Sequence, residues 1–78
     1  MTERIRELQK KEVINLSNGK RLGFVYDVEI NSQTGTIETI IVPCKNSILR
    51  FFFKYEEMVI DFAKIRKIGD DIILVDLE

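Results

Sequence analysis

The stretch SNGKRLGFVYDVEINSQTGTIETIIV, from Ser17 to Val42, decides the fold of this chain. Asn18-Gly19 is a typical tight-turn dipeptide, because both residues tolerate positive φ at little steric cost. Leu22 to Ile30 is rich in the β-branched and aromatic residues that suit strands, Asn31 to Gly35 turns the chain, and Thr36 to Val42 runs back. The stretch therefore predicts a turn, a long strand, a second turn and a return strand.

The long strand is apolar on both of its faces, and two arrangements fit this pattern. In a regular strand of period two, one face carries every second residue and only Val25 lies on the other. A bulge near Tyr26-Asp27 would instead bury Val25, Val28 and Ile30 and turn the two aromatic residues outward. Gly23 fits either arrangement as a bend or a close-approach position. The residues that share one face in the regular arrangement are Leu22, Phe24, Tyr26, Val28 and Ile30.

Two short elements are predicted before this stretch. Met1 to Lys11 forms either a short helix capped by Thr2, with Ile5 and Leu8 on its inner face, or an extended arm. Glu12 to Leu16 alternates as a short strand that runs straight into the first turn.

Three further elements are predicted near the end of the chain. Met58 to Ile60 has the composition of a short strand, and Asp61 is suited to begin a single helical turn. Ile65 to Ile68 and Ile72 to Leu77 then form a hairpin across Gly69-Asp70-Asp71, in which the glycine supplies a positive φ.

The composition is that of a single folded domain covering residues 1–78. Of the 78 residues, 45% are apolar and 32% are charged, which is typical of a globular chain rather than a disordered tail. Cys44 is the only cysteine, so no internal disulfide can form and the reducing cytoplasm is the expected location. We find neither a signal peptide nor an apolar run approaching about 18 residues, so no membrane span is expected.

The charges are unevenly distributed along the chain, although they nearly cancel to a net charge of −1. Residues 1–22 contain six lysines and arginines against three acidic residues, whereas residues 56–78 contain three against seven. In the folded protein this asymmetry either gives two faces of opposite sign or cancels where the termini meet. A mixed solvated surface is the simpler interpretation. The low net charge argues against general affinity for nucleic acid or acidic membranes.

The sequence offers no recognisable catalytic group. It contains no histidine, so the commonest general base and zinc ligand is missing, and nothing can activate the thiol of Cys44 in the usual way. The acidic pairs Glu56-Glu57 and Asp70-Asp71 are better explained as solvated positions than as an acid–base pair or a cation site. We therefore predict no enzymatic activity, no cofactor and no metal. The residues expected to serve as structural turns are Asn18, Gly19, Gly23, Gly35 and Gly69.

Four segments carry a resemblance to a known family. They are NGKRLG from Asn18 to Gly23, Asp27-Val28, Ile30-Asn31 with Thr34-Gly35, and the hairpin from Ile65 to Val75. With these motifs the chain resembles the PRC-barrel domain over nearly its whole length. More narrowly, it resembles the YlmC/YmxH group of spore-forming bacteria.

The resemblance implies an all-β fold. This is a small, highly curved, closed or nearly closed antiparallel β-barrel of about six strands, with at most one short helical turn. The resemblance also implies a sporulation-associated adaptor that binds another protein rather than an enzyme. Relatives commonly have small or polar residues where this chain has Phe24 and Tyr26, and this departure favours the bulged strand with both aromatic rings outward.

The segment from Cys44 to Tyr55 is the most apolar loop, and it contains most of the candidate protein interface. Its three phenylalanines either cap the open end of the barrel or form an aromatic and cationic surface for a partner. The same pattern suits stacking on single-stranded RNA, so an RNA-binding or ribosome-accessory role is the alternative, although the net charge of −1 argues against nucleic acid as a ligand. The candidate interface residues are Phe24, Tyr26, Arg50, Phe51, Phe52, Phe53 and Lys54.

Self-association is also predicted from the two central strands. Both are apolar on both faces, which leaves Phe24, Tyr26, Ile40 or Val42 in need of cover. A soluble monomer rarely exposes an apolar patch above a few hundred Å². We therefore expect a homo-oligomer, a dimer in the simplest case, in addition to a protein partner that the sequence does not identify.

Overall fold

The computed structural model of the protein describes residues 2–43 and 57–77, which form seven strands, one short α-helix and one turn of 3-10 helix. The mostly β composition confirms the all-β part of the predicted fold class. The described strands form two sheets, and α1 and the 3-10 turn together exceed the single helical turn that was expected. In chain order the elements are α1 (Ile5–Leu8), β1 (Glu12–Asn15), β2 (Arg21–Phe24), β3 (Asp27–Asn31), β4 (Thr36–Pro43), β5 (Glu57–Asp61), the 3-10 turn (Phe62–Lys64), β6 (Ile65–Ile68) and β7 (Ile72–Val75).

The strands are arranged in two sheets. One has four strands in the order β2-β1-β7-β6, and the other has three in the order β3-β4-β5. Neighbouring strands are antiparallel except β1 and β7, which are parallel. The prediction of about six antiparallel strands is therefore close in number, since the described residues form seven, and it is correct for every neighbouring pair except β1 and β7. That pair is parallel because the first and last strands meet side by side and the rest of the chain serves as their connection.

The extra strand arises because the predicted long strand is interrupted at Val25 and Tyr26. Val25 is 3% exposed, while Phe24 and Tyr26 are 42% and 61% exposed, so the arrangement with both aromatic residues outward is confirmed. Gly23 makes the bend possible. Its φ is 120°, and a Cβ there would lie 3.3 Å from Cγ1 of Val42 on β4. A side chain at this position would separate the two sheets where they approach each other.

Ile30 does not follow the bulged arrangement, which predicted it to be buried. It is 54% exposed. After a register shift between Glu29 and Ile30, Ile30 pairs with Ile37 next to the hairpin turn, and neither residue belongs to the buried cluster.

The core lies between the two sheets and is made of aliphatic side chains. From the four-stranded sheet Val13 and Ile73 are fully buried, and from the three-stranded sheet Ile40 and Ile60 meet them. Ile40 and Val42, which were expected to need cover from another molecule, are thus covered within the chain. The buried cluster consists of Leu8, Val13, Val25, Ile40, Val42, Ile60, Ile73 and Val75.

Two of the turns share one construction, an asparagine followed four residues later by a glycine with positive φ. The N–H of Gly19 donates to the carbonyl of Asn15 over 2.7 Å, and the N–H of Gly35 donates to the carbonyl of Asn31 over the same distance. The φ values of Gly19 and Gly35 are 69° and 75°, which confirms both as turn glycines. In each turn the asparagine side chain also accepts the N–H of the residue two positions later, which is the pattern of an Asx turn.

The roles of two other predicted turn residues differ from expectation. Asn18 does not have positive φ; its Oδ1 accepts the N–H of Lys20 over 3.0 Å instead. The positive φ predicted for Gly69 is wrong, because the hairpin closes with a bond from its N–H to the carbonyl of Ile72. A Cβ at Gly69 would lie 3.4 Å from Cγ1 of Ile72, which is an ordinary van der Waals distance.

The N-terminal segment forms a short helix that closes one side of the core. Leu8 is buried as predicted, whereas Ile5 is largely exposed. The residue before the helix is Arg4 rather than Thr2, and no side chain caps it. Lys11 is buried and its ammonium group is paired with the carboxylate of Glu3, which fixes the start of the chain against the domain. Asp61 precedes the 3-10 turn as expected, but its side chain makes no capping bond.

Candidate functional site

Phe24 and Tyr26, the two predicted interface residues that the structure describes, flank the point where the chain passes from one sheet to the other. The backbone of Tyr26 is fixed on both sides, because its N–H donates to the carbonyl of Ile41 over 2.7 Å and its carbonyl accepts Nε2 of Gln9 over 3.0 Å. The aromatic ring of Tyr26 is therefore presented from a rigid position. The other predicted interface residues, Arg50, Phe51, Phe52, Phe53 and Lys54, lie outside the described residues, as does Cys44.

The outer surface of the three-stranded sheet, which we call the acidic face, follows from the strand register. Paired residues on neighbouring strands share a face, and Ile40 pairs with Ile60 on the core side. The alternate rows therefore point outward: Asp27, Ile41 and Val59 form one row, and Glu29, Thr39 and Asp61 form the next. The acidic face also includes Glu57, which pairs with Pro43. Ile30 and its partner Ile37 are not part of it, because Ile30 lies two residues after Val28, the partner of the core-facing Ile40.

All charged residues of the three-stranded sheet are acidic. Residues 27–31, 36–43 and 57–61 contain no lysine or arginine. Glu38 lies two residues before the core-facing Ile40 on β4 and is not counted in the acidic face. The other acidic residues of these strands point outward and belong to the acidic face. The acidic residues of these strands are Asp27, Glu29, Glu38, Glu57 and Asp61.

The outer surface of the four-stranded sheet, which we call the basic face, has the opposite charge. One row crosses all four strands and reads Arg21, Ile14, Leu74 and Lys67, so that a cation stands at each end and two half-buried apolar side chains lie between them. The next row includes Phe24, Glu12 and Ile72. Nη1 of Arg21 lies 3.7 Å from the carboxylate of Glu12, a surface ion pair that contributes about 0–1 kcal/mol.

The described residues contain no arrangement suited to metal binding. No group of three or more histidine, cysteine or acidic side chains in residues 2–43 and 57–77 converges on one point. No helix of this part of the chain is both long and apolar enough to cross a membrane. The chemically distinctive surfaces here are thus the two charged faces and the aromatic pair between them.

Comparison with protein families agrees with this architecture. The profile of the PRC-barrel domain matches residues 1–77, which is nearly the whole chain. The chain belongs to the PRC-barrel family. The resemblance predicted from the turn and hairpin motifs is confirmed.

Three relatives of this PRC-barrel chain are informative. "Probable sporulation protein YlmC" of Bacillus subtilis is 51% identical over 73 residues, which cover 94% of this chain and 90% of that protein. An uncharacterized protein of Clostridium acetobutylicum is 33% identical over 72 residues, covering 92% of this chain and 82% of that protein. "Uncharacterized protein YmxH" of Bacillus subtilis is 31% identical over 78 residues, covering 95% and 88%. Neither the family match nor these names support the RNA-binding alternative.

Two faces of opposite sign were one of the two outcomes expected for this PRC-barrel protein, but sequence reasoning counted charges from the chain ends and did not assign them to the two sheets. The useful signal was the absence of lysine and arginine from residues 22–43 and 55–63, which supply the whole three-stranded sheet. The alternation of side chains along the sequence was not enough to predict the acidic face. The break at Val25 and the register shift after Glu29 both change which residues point outward.

Proposed function

We propose that this chain is a non-enzymatic protein-interaction module that acts as an adaptor in sporulation. The observation that carries the proposal is its 51% identity, over 94% of its length, to a protein named as a probable sporulation protein. That name specifies a cellular process and no reaction. The absence of histidine from the sequence supports a role without catalysis. The single cysteine supports an action in the reducing cytoplasm.

The proposed partner surface is centred on Tyr26 and Phe24 and includes residues 50–54. Tyr26 is 61% exposed although its backbone is held by Ile41 and Gln9, so ordering this ring against a partner costs little conformational entropy. Tyrosine, phenylalanine and arginine are enriched at the centres of protein interfaces. We also propose that the two sheets act as the halves of the closed or nearly closed barrel that the family resemblance implies.

The adaptor role predicts that Tyr26→Ser reduces partner capture without changing stability. Tagged wild-type protein and the variant are incubated with lysates of sporulating and of vegetative cells, and the captured proteins are compared by mass spectrometry. Ile5→Ser is the matched control, because Ile5 is also an exposed large apolar residue but lies in α1 rather than at the passage between the two sheets. We expect a partner that is specific to sporulating cells to bind wild type and Ile5→Ser and to be lost from Tyr26→Ser.

Phe52→Ser in the same experiment separates the two interpretations of the loop. If Phe52 contacts the partner, capture is lost at an unchanged melting temperature. If it caps the barrel, the substitution costs about 2–4 kcal/mol of stability. Equal capture by Tyr26→Ser, Phe52→Ser and wild type would reject this surface as the partner site.

A further inference from the structure

The two charged faces are complementary to each other, and they belong to the same chain. We propose that the acidic face of one copy binds the basic face of a second copy, so that the protein self-associates head to tail. This inference goes beyond the adaptor role, which does not require it.

The two faces lie on opposite sides of the domain. Val13 and Ile73 of the four-stranded sheet and Ile40 and Ile60 of the three-stranded sheet share one buried cluster, so each sheet turns its inner side toward the other. Their outer sides consequently point in opposite directions. A second copy placed on either face would continue the stacking of one sheet on the next, at the spacing of about 10 Å that packed sheets adopt.

The centre of the acidic face offers one exposed apolar side chain. Val59 is 55% exposed and pairs with Ile41, which is 8% exposed. On the basic face the side chains of Ile14, Leu74 and Ile72 are half-buried. Contact between Val59 and these side chains would remove apolar surface from water, while the charges at the margins of the faces supply the complementarity.

The charges at the margins of the two faces match in arrangement as well as in sign. The row Glu29, Thr39 and Asp61 has an acidic residue at each end. These two residues lie on β3 and β5, which are about 10 Å apart across the sheet. The row from Arg21 to Lys67 has a cation at each end, about 14 Å apart across four strands. The long side chains of lysine and arginine are flexible enough to bridge the difference between these two spacings. The side chain of Arg21 is 77% exposed and therefore free of tight packing.

A second copy fits the acidic face better than an unrelated basic partner. The net charge of the chain is only −1, so the acidic excess of the three-stranded sheet is balanced by cations elsewhere on the same molecule. Each face spans three or four strands of about five residues each, so its area is on the order of a few hundred Å². This area is below the roughly 800 Å² that each partner buries in stable complexes. We therefore expect weak, concentration-dependent association that salt reduces.

The mode of association distinguishes this proposal from a symmetric dimer. In a symmetric dimer the same patch of both copies is buried, whereas in a head-to-tail contact each copy keeps one unused face and can bind a third copy. A substitution that blocks one face therefore leaves the other face able to bind a second copy. Two variants blocked on different faces should each fail to self-associate, yet they should bind each other and stop at a one-to-one complex.

The test uses Val59→Asp to block the acidic face and the double substitution Arg21→Glu, Lys67→Glu to block the basic face. Sedimentation velocity is measured from about 10 to about 500 μM protein, at about 50 mM and about 500 mM salt. We expect wild-type association beyond the dimer at low salt, a self-association at least about tenfold weaker in each variant, and a one-to-one complex in their mixture.

Two controls separate the contact from folding and from overall charge. Val59→Thr keeps the branched side chain without adding a carboxylate. Arg6→Glu with Lys10→Glu changes the net charge as much as the basic-face variant, but at exposed positions in and directly after α1 rather than in the four-stranded sheet. Both should associate like wild type, and thermal melts should show that all variants are folded. A wild-type protein that stays monomeric at about 500 μM and low salt overturns the proposal. So does a wild-type dimer whose two blocked variants do not bind each other. Neither result would bear on partner capture through Tyr26.

Discussion

Gly23 and Gly35 both have positive φ, but they do so under different steric conditions. Gly35 lies in an open turn with no atom within 4 Å of the position that a Cβ would occupy. Gly23 has a φ of 120°, and a Cβ there would approach Cγ1 of Val42 to 3.3 Å. A side chain at Gly35 therefore meets only an unfavourable backbone angle, whereas a side chain at Gly23 also pushes against the other sheet.

This difference predicts the order of stability of two alanine variants. Gly35→Ala should destabilise the domain by about 1 kcal/mol, the cost of placing a non-glycine residue in the left-handed region. Gly23→Ala should cost more, about 2–4 kcal/mol, because backbone strain and displacement of Val42 add. Urea unfolding of both variants measures the difference, and Gly35→Asn serves as a control, since asparagine tolerates the left-handed region. Equal losses for the two alanine variants would show that the close approach to Val42 is relaxed in solution.

At the scale of the element, the two turns built from an asparagine and a glycine differ in burial. Asn31 is partly exposed, and its Oδ1 accepts the N–H of Gln33 and, over a longer distance, that of Thr34. Asn15 is buried at the end of β1, and its Oδ1 accepts the N–H and the hydroxyl of Ser17 as well as the N–H of Leu77. Asn15 therefore joins the first turn to the end of the chain.

Asn15→Ala should consequently destabilise the protein more than Asn31→Ala. The first variant leaves three part-buried donors without their acceptor and should cost about 1–2 kcal/mol, while the second affects solvated groups and should cost about 0.5–1 kcal/mol. Thermal melts monitored by circular dichroism provide the comparison. If Asn31→Ala proves as damaging as Asn15→Ala, the bonds of Asn15 to Ser17 and Leu77 do not contribute as the structure indicates.

The sequence predicted those elements that depend on residues lying close together in the chain. The final hairpin, the strand before the first turn and the turn at Gly35 follow from alternation and turn chemistry within a few residues. The parallel pairing of β1 with β7 was not predictable in this way, because it joins residues about 60 positions apart and leaves no local signature. The aromatic pair was recognised, whereas the acidic face required the register of three strands to be known.

At the scale of the whole molecule, β1 and β7 occupy the centre of the four-stranded sheet. Val13 and Ile73 pair with each other there, and both are fully buried. Half of the core therefore depends on residues from opposite ends of the chain. Removing either strand exposes the other and separates β2 from β6.

Deleting residues 72–78 should therefore unfold the domain completely rather than shorten one sheet. The loss of Ile73 and Val75 removes two fully buried side chains, each of which contributes about 1.5–3 kcal/mol by burial, from a domain whose total stability is about 5–10 kcal/mol. Circular dichroism and amide dispersion in NMR spectra measure the outcome. Deleting only residues 77 and 78 keeps β7 and should leave a folded protein. A cooperative melt in the larger deletion would contradict this account.

The position of β7 also determines when this protein can fold during its synthesis. Ribosomes deliver the chain from the N-terminus at about 5–20 residues per second, and domains usually fold as soon as their last necessary element has emerged. Here that element is the final strand, which inserts between β1 and β6. Chains whose synthesis has not passed Val75 therefore lack a native core. Only chains that include β7 can present the acidic face, the basic face and Tyr26 together, so binding through these surfaces waits until the last strand of the domain has been made.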